Sequence, residues 1–189
     1  SVFVADMDND GDLDIVSASV IDDAIAWYEN DGAADPSWTA ADIATDADAA
    51  RSVFVADMDN DGDLDIVSAS ADDDAIAWYE NGLAAFGSHS FTAADIATSA
   101  DGAIAVFVAD LDNDGDKDIL SAGFNDDAIA WYENDGAANP SFSAADIATS
   151  ADGATFAFAA DMDNDGDMDI VSASFTDDAI AWYSPTVDN

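Results

Sequence analysis

Repetition is the feature that most constrains how this chain folds. The stretch "DMDNDGDLD" begins at Asp6 and returns, with small changes, at Asp57, Asp110 and Asp161. The starts lie 51, 53 and 51 residues apart. A period near 50 residues marks a solenoid or a propeller, in which each unit buries its faces against its neighbours. The second unit is longer because "GLAAFGSHS" (Gly82 to Ser90) stands where the first has "DGAADPS". An insertion accepted at that point predicts a surface loop.

Each unit reads as four short strands separated by turn signals. In the first unit they are "SVFVAD" (Ser1 to Asp6), "DIVSAS" (Asp14 to Ser19), "AIAWYEN" (Ala24 to Asn30) and "WTAADIAT" (Trp38 to Thr45). No window carries a helical apolar period. The third strand puts Ile25 and Trp27 on one face and Ala24, Ala26 and Tyr28 on the other, and neither face is plainly polar. A sheet covered on both sides has this pattern, as a stacked propeller blade does. A two-sheet sandwich predicts a cleaner alternation of apolar and polar positions. The expectation is an all-β fold, a β-propeller of four four-stranded blades near 1–50, 51–103, 104–154 and 155–189. It forms either a closed four-bladed ring or part of a larger propeller or assembly.

Charge then excludes partners. Among 189 residues, 2 are basic and 43 acidic, a formal net charge of −41. Such a chain repels a nucleic-acid backbone and an anionic membrane surface, so cations are the expected partners. Half of the residues are hydrophobic, so the chain is not a disordered acidic tail. There is no cysteine, hence no disulfide framework and no thiolate site. No apolar run approaches the length of a membrane span. With Ser1 first and no leader ahead of it, the simplest reading is a mature or trimmed product, secreted or displayed at a cell surface. Halophilic adaptation also yields acidic chains, but it is expected to use both acids. Here only Glu29, Glu80 and Glu133 are glutamate.

Twenty of the aspartates lie in the four recurring loops, where like charges a few ångströms apart repel. A shared hard dication turns that repulsion into attraction. Calcium takes six to eight oxygens, and a loop D-x-D-x-D-G-x-x-D supplies them from carboxylates at positions 1, 3, 5 and 9 and a backbone carbonyl at position 7. In the first unit these are Asp6, Asp8, Asp10 and Asp14, with Asp12 giving its carbonyl. Gly11 at position 6 permits the sharp turn. The counterparts are Asp57, Asp59, Asp61, Asp63 and Asp65; Asp110, Asp112, Asp114, Asp116 and Asp118; and Asp161, Asp163, Asp165, Asp167 and Asp169. Four calcium ions are expected. The bland reading is a solvated acidic turn, since D-G is a common turn dipeptide. A single copy would leave the two readings level, whereas four matching copies favour the metal. An EF-hand is excluded because position 12 is Ser17, Ser68, Ser121 or Ser172, where a bidentate Glu belongs. Magnesium prefers a tighter octahedron. Transition metals lack Cys, and only one His is present.

Taken together, "VFVADMDNDGDLDIVSAS", "DDAIAWYEN" and "FTAADIATSADGA" resemble the FG-GAP/VCBS repeats of integrin-like β-propellers, especially bacterial secreted ones. The resemblance spans essentially the whole chain. It implies a calcium loop joining the innermost strand of each blade to the next, and calcium at the twenty aspartates named above. Family members commonly have about seven blades, and four units are present here. The last unit ends after "AIAWYSPTVDN" without a fourth strand. Self-association, or further repeats of the same protein, is therefore expected.

Residues that break the repeat are few. Arg51 aligns with Ile104 and Thr155, Lys117 with Leu13, Leu64 and Met168, and His89 sits in the insertion. None has visible partners for a charge relay, so each reads as a lone surface residue. The pairs Asp22–Asp23, Asp73–Asp74, Asp126–Asp127 and Asp177–Asp178 suggest glycosidase carboxylates, but recurrence in every unit favours a turn role. Trp27, Trp78, Trp131 and Trp182 read as packing between blades rather than a sugar platform. Trp38, aligned with Phe91 and Phe142, is the better exposed aromatic. The expected function is a non-catalytic, calcium-binding extracellular module for structure, adhesion or assembly. The alternatives are a calcium-dependent lectin, with glycan or surface-protein partners, and a carbohydrate-active enzyme domain.

Overall fold

The computed structural model describes residues 1–84 and 88–184. Fifteen strands and no helix occur among them. The first sheet contains β1 (Val2–Ala5), β2 (Asp14–Ser19), β3 (Ala24–Asn30) and β4 (Trp38–Ala44). The second contains β5 (Ala50–Ala56), β6 (Asp65–Ser70), β7 (Ala75–Ala84) and β8 (Ser88–Ala97). The third contains β9 (Ala103–Ala109), β10 (Asp118–Gly123), β11 (Ala128–Asn134) and β12 (Phe142–Ala148). The fourth has β13 (Ala154–Ala160), β14 (Asp169–Ser174) and β15 (Ala179–Tyr183). Every sheet is an antiparallel meander in chain order. These are the blades of a β-propeller fold.

Register explains why both faces of a strand are apolar. Val16 pairs with Trp27 and Ala18 with Ile25, so all four point to one side of the first sheet. That side packs on Val53, Val55, Ala77 and Tyr79 of the second sheet. The arrangement repeats: Val67, Ile76 and Trp78 meet Val106, Val108, Ala130 and Tyr132. Leu120 and Ile129 then meet Ala157, Ala159 and Ile170. The core is thus three slabs between consecutive blades. On the innermost strands, Phe3, Phe54, Phe107 and Phe158 form a row with ring centroids 4.9, 5.3 and 4.6 Å apart. That row brings the four inner strands, and the aspartate loops that follow them, to one end of the molecule.

The two terminal faces are open. Ile25, Ile76 and Ile129 are fully buried, yet their counterpart Ile180 is 75% exposed. Trp182 is 57% exposed, where Trp27 and Trp78 are buried. On the opposite face of the first sheet Val2 is 68% exposed. This contrast makes a clean prediction. Ile76→Ala, which opens a cavity between blades, costs about 2–5 kcal/mol. Ile180→Ala, the same change at the same place in the repeat, costs less than about 0.5 kcal/mol. Urea denaturation at low protein concentration reads both, and equal losses would refute the slab description.

Two expectations need correction. The insertion Gly82 to Ser90 is mostly strand, because β7 and β8 simply continue the hairpin, pairing Gly82 with Ser90 and Leu83 with His89. Only its tip, residues 85–87, lies outside the described residues. His89 is not a lone surface residue. Its ring meets Trp27 edge-on at 5.3 Å, and its Nδ1 lies 3.1 Å from Asn81 Oδ1.

Candidate metal centre

Each aspartate loop is built by two residues in left-handed backbone conformation. Gly11 has φ 99°, and the counterparts Gly62, Gly115 and Gly166 lie between 99° and 104°. An L side chain is strained at such φ. Asn9, Asn60, Asn113 and Asn164 at loop position 4 have φ of 57° to 64°, which asparagine tolerates best among side-chain-bearing residues. The double reversal curls the backbone so that its N–H groups point inward. Asp10 N donates to Asp6 Oδ1 at 3.1 Å and to Asp8 Oδ1 at 3.2 Å, and Gly11 N donates to Asp6 Oδ2 at 3.0 Å. Loops two and four repeat all three bonds.

These bonds aim the carboxylates at one point. Oxygens of Asp6, Asp8 and Asp10 lie within 4.8 Å of one another, as do those of Asp57, Asp59 and Asp61, and of Asp110, Asp112 and Asp114. In the fourth loop the trio is Asp161, Asp163 and Asp169. Two oxygens on one calcium, each about 2.3–2.6 Å from it, stand up to about 5 Å apart. The hard, all-oxygen donor set and its spacing therefore fit that ion. Burial holds the carboxyls of Asp8, Asp59 and Asp112 above the ordinary carboxylate range, and neighbouring carboxylates add to the rise.

The structure separates positions 7 and 9 from the trio in the first three loops. Asp14 is buried and ties the loop to β3, accepting from Met7 N at 3.1 Å and Asn30 N at 2.8 Å. Asp65 does the same for Met58 and Asn81, and Asp118 for Leu111 and Asn134. At position 7, Asp63 accepts from Asn9 Nδ2 at 3.1 Å, and Asp116 from Asn60 Nδ2 at 2.9 Å. These side chains therefore face the preceding loop, and Asn113 continues the series by donating to Gly166 O. Asn9 and Asn60 link consecutive loops, a role their sequence position did not reveal. Asn81 and Asn134 were also missed. Each is buried, and each donates to a carbonyl of the preceding blade, Met7 O or Met58 O.

Burial pushes Asp65 up to about 7 and Asp118 up to about 6, only partly offset by the backbone N–H bonds each accepts. The indoles of Trp78 and Trp131 also offset a little, although neither N–H reaches a hydrogen bond. A carboxyl whose folded value stands above its unfolded value of 3.8 binds protons more tightly in the folded state. The stability it lends is present near pH 4 and is lost as pH rises through about 6 to 7. In a calcium chelator the chain should therefore melt higher at pH 5 than at pH 8. A melting temperature that falls over this range on acidification would contradict the assignment.

The aspartate pairs stitch one blade to the next. Asp23 has φ 53°, and its carbonyl accepts from Ala47 N while its Oδ1 accepts from Ala49 N, both at 3.0 Å. Asp74 and Asp127 hold the next two linkers in the same way. Among the described residues no helix is long and apolar enough to cross a membrane.

Comparison with known proteins agrees with this architecture. No curated protein matches the chain. Among solved structures, a lectin of Agrocybe aegerita, described for specific recognition of non-reducing terminal N-acetylglucosamine, superposes with a TM-score of 0.61 at 20% identity. The superposition covers 92% of this chain and 46% of that one, so the chain spans under half of its length. The likeness shows the fold. The model for the FG-GAP-like repeat matches residues 6–68, 59–121 and 110–172, each match running from one aspartate loop through the next. With loops, blades and these matches in agreement, the chain belongs to the FG-GAP-like repeat family.

Proposed function

We propose that this chain is a non-catalytic, calcium-stabilised propeller module acting outside the cell in structure, adhesion or assembly. One observation carries the reading: in every blade, backbone N–H groups hold carboxylates of one loop close enough to share a dication. Asp6, Asp8 and Asp10 and their counterparts in the second and third loops supply carboxylate oxygens, and in the fourth loop Asp161, Asp163 and Asp169 do. Position 7 supplies its carbonyl, and in the first three loops position 9, anchored between its loop and the third strand of its blade, sets the floor of the site. The non-catalytic reading rests on symmetry, since the acidic clusters recur blade by blade, whereas an active site is a single asymmetric constellation. Calorimetric titration tests it. Four equivalents of calcium per chain are expected, and no heat at millimolar calcium would reject it.

A second reading is carbohydrate binding. It is supported by the shared fold with a lectin that recognises N-acetylglucosamine and by an open groove at the end of the blades away from the aspartate loops.

A further inference from the structure

Side chains that break the repeat gather in one place. The turn leaving the second strand of each blade reads Val20-Ile21, Ala71-Asp72, Phe124-Asn125 and Phe175-Thr176, always between a small-residue strand and an aspartate pair. The residue entering the second, third and fourth inner strands is Arg51, Ile104 and Thr155. A single groove of about 460 Å³ is lined by Arg51, Asp72, Phe124, Asn125, Thr155 and Phe175. Ala71, Ile104 and Gly102 complete it. In a meander this turn lies at the end where the inner strand begins, so the groove is on the rim opposite the aspartate loops.

The scaffold beneath the groove does repeat. Ala71, Phe124 and Phe175 each donate their N–H to the linker before the inner strand, at Ala49, Gly102 and Gly153. Asp72, Asn125 and Thr176 likewise donate to Asp48, Asp101 and Asp152. Asn125 Nδ2 also donates to Asp101 Oδ1 at 3.0 Å, so the amide oxygen is the end that can accept from a ligand. The Phe124 ring reaches across to the next blade, where a Cβ on Gly153 would come within 3.3 Å of it. Fixed backbone with position-specific side chains is how a binding surface is carried on a rigid frame.

We infer that this groove is a single carbohydrate-binding site, and that its ligand is a neutral pyranoside. Phe175, 71% exposed, and Phe124 beside it offer aromatic faces to the C–H face of a sugar ring. Arg51, one of two basic side chains in the chain, offers donors to hydroxyl groups. Asp72, the Asn125 amide oxygen and the Thr155 hydroxyl accept, the last because its own proton goes to Ala173 O at 2.9 Å. A net charge of −41 disfavours uronic, sulfated or sialylated glycans at this site. The inference rests on the carbohydrate reading above and is independent of calcium binding. Unlike the aspartate loops, the site occurs once per chain.

The test is a glycan array printed with neutral, sialylated and uronic-acid glycans, followed by calorimetry with a neutral hit on Phe175→Ala and Arg51→Gln chains. Both side chains are exposed, so the variants should fold, and an unchanged melting temperature checks it. Binding to neutral glycans, weakened at least tenfold by each substitution, is the expected result. Neutral binding that neither substitution weakens would overturn the groove assignment while leaving carbohydrate binding in place. Binding confined to acidic glycans would overturn the ligand class. No binding to any glycan would overturn both this site and the carbohydrate reading.

Discussion

Withdrawing calcium with EGTA should lower the melting temperature of this chain by roughly 12–24 °C. At a free concentration ten times the dissociation constant, each bound ion contributes about 1.4 kcal/mol, and four sites contribute about 6 kcal/mol. A domain of this size shifts by about 2–4 °C per kcal/mol. Dissociation constants near 10⁻⁴ to 10⁻³ M are typical of extracellular modules, so about 10 mM calcium reaches that regime. The structural reason is that each loop holds three carboxylates within 4.8 Å of one another, and the chain has only two basic residues to offset them. Calorimetric scans in calcium and in EGTA measure the shift, and coincident transitions would defeat the reading. The loops are separate, so Asp61→Ala should remove one ion of four and about a quarter of the shift. Loss of all four on that single change would mean that the Asn9 and Asn60 bridges couple the loops more tightly than their geometry requires.

Most of this architecture was legible because the repeat compares the chain with itself. The strands at Asp14 to Ser19 and Ala24 to Asn30 lie where their sequences end in turn residues, and the glycine of each loop takes the positive φ that its position demands. What stayed hidden depends on what lies across an interface. Nothing in "WYEN" says that Asn81 will reach Met7 O in another blade. Nothing in the insertion places His89 against Trp27. Asp14 reads as one more acid in an alternating row, yet it is buried and turned toward Met7 and Asn30. The groove was half visible. Arg51 stood out as a repeat-breaking residue, but the turns that meet it lie about 20 to 125 residues further along the chain, and only the stacking of blades brings them together.

At about 100 µM and in about 1 M NaCl, the chain should have a mass at least twice its 19.5 kDa, by docking the open face of its fourth blade on the open face of the first blade of a second copy. High salt shortens electrostatic reach to about 3 Å, so acidic repulsion does not decide the outcome. Three contacts inside the chain serve as templates. Ile25 and Trp27 are covered by the blade that follows, whereas Ile180 and Trp182 are uncovered. Trp27 meets Phe91 of the next blade at 6.2 Å. Trp38 occupies the place of Phe91 in the first blade and is exposed, so it is the matching partner for Trp182. Asn81 and Asn134 each donate to a loop carbonyl of the preceding blade, at Met7 and Met58, while Asn30 donates only within its own blade, to Leu13 O. In the docked pair Asn30 gains Met162 O. The contact should be weaker than an internal one. Ile43, Ala44 and Ala47 help close the first slab, and the fourth sheet has no described strand beyond β15 to contribute the like. Val4→Asp blocks one face and Ile180→Asp the other, both at exposed positions where the fold tolerates charge. Each variant alone should be monomeric by light scattering. Mixed, they should form a one-to-one dimer that cannot grow, because only one face remains free on each chain and those two are complementary. A wild-type chain that stays at 19.5 kDa, or a mixture that stays monomeric, would show that these faces do not recognise each other.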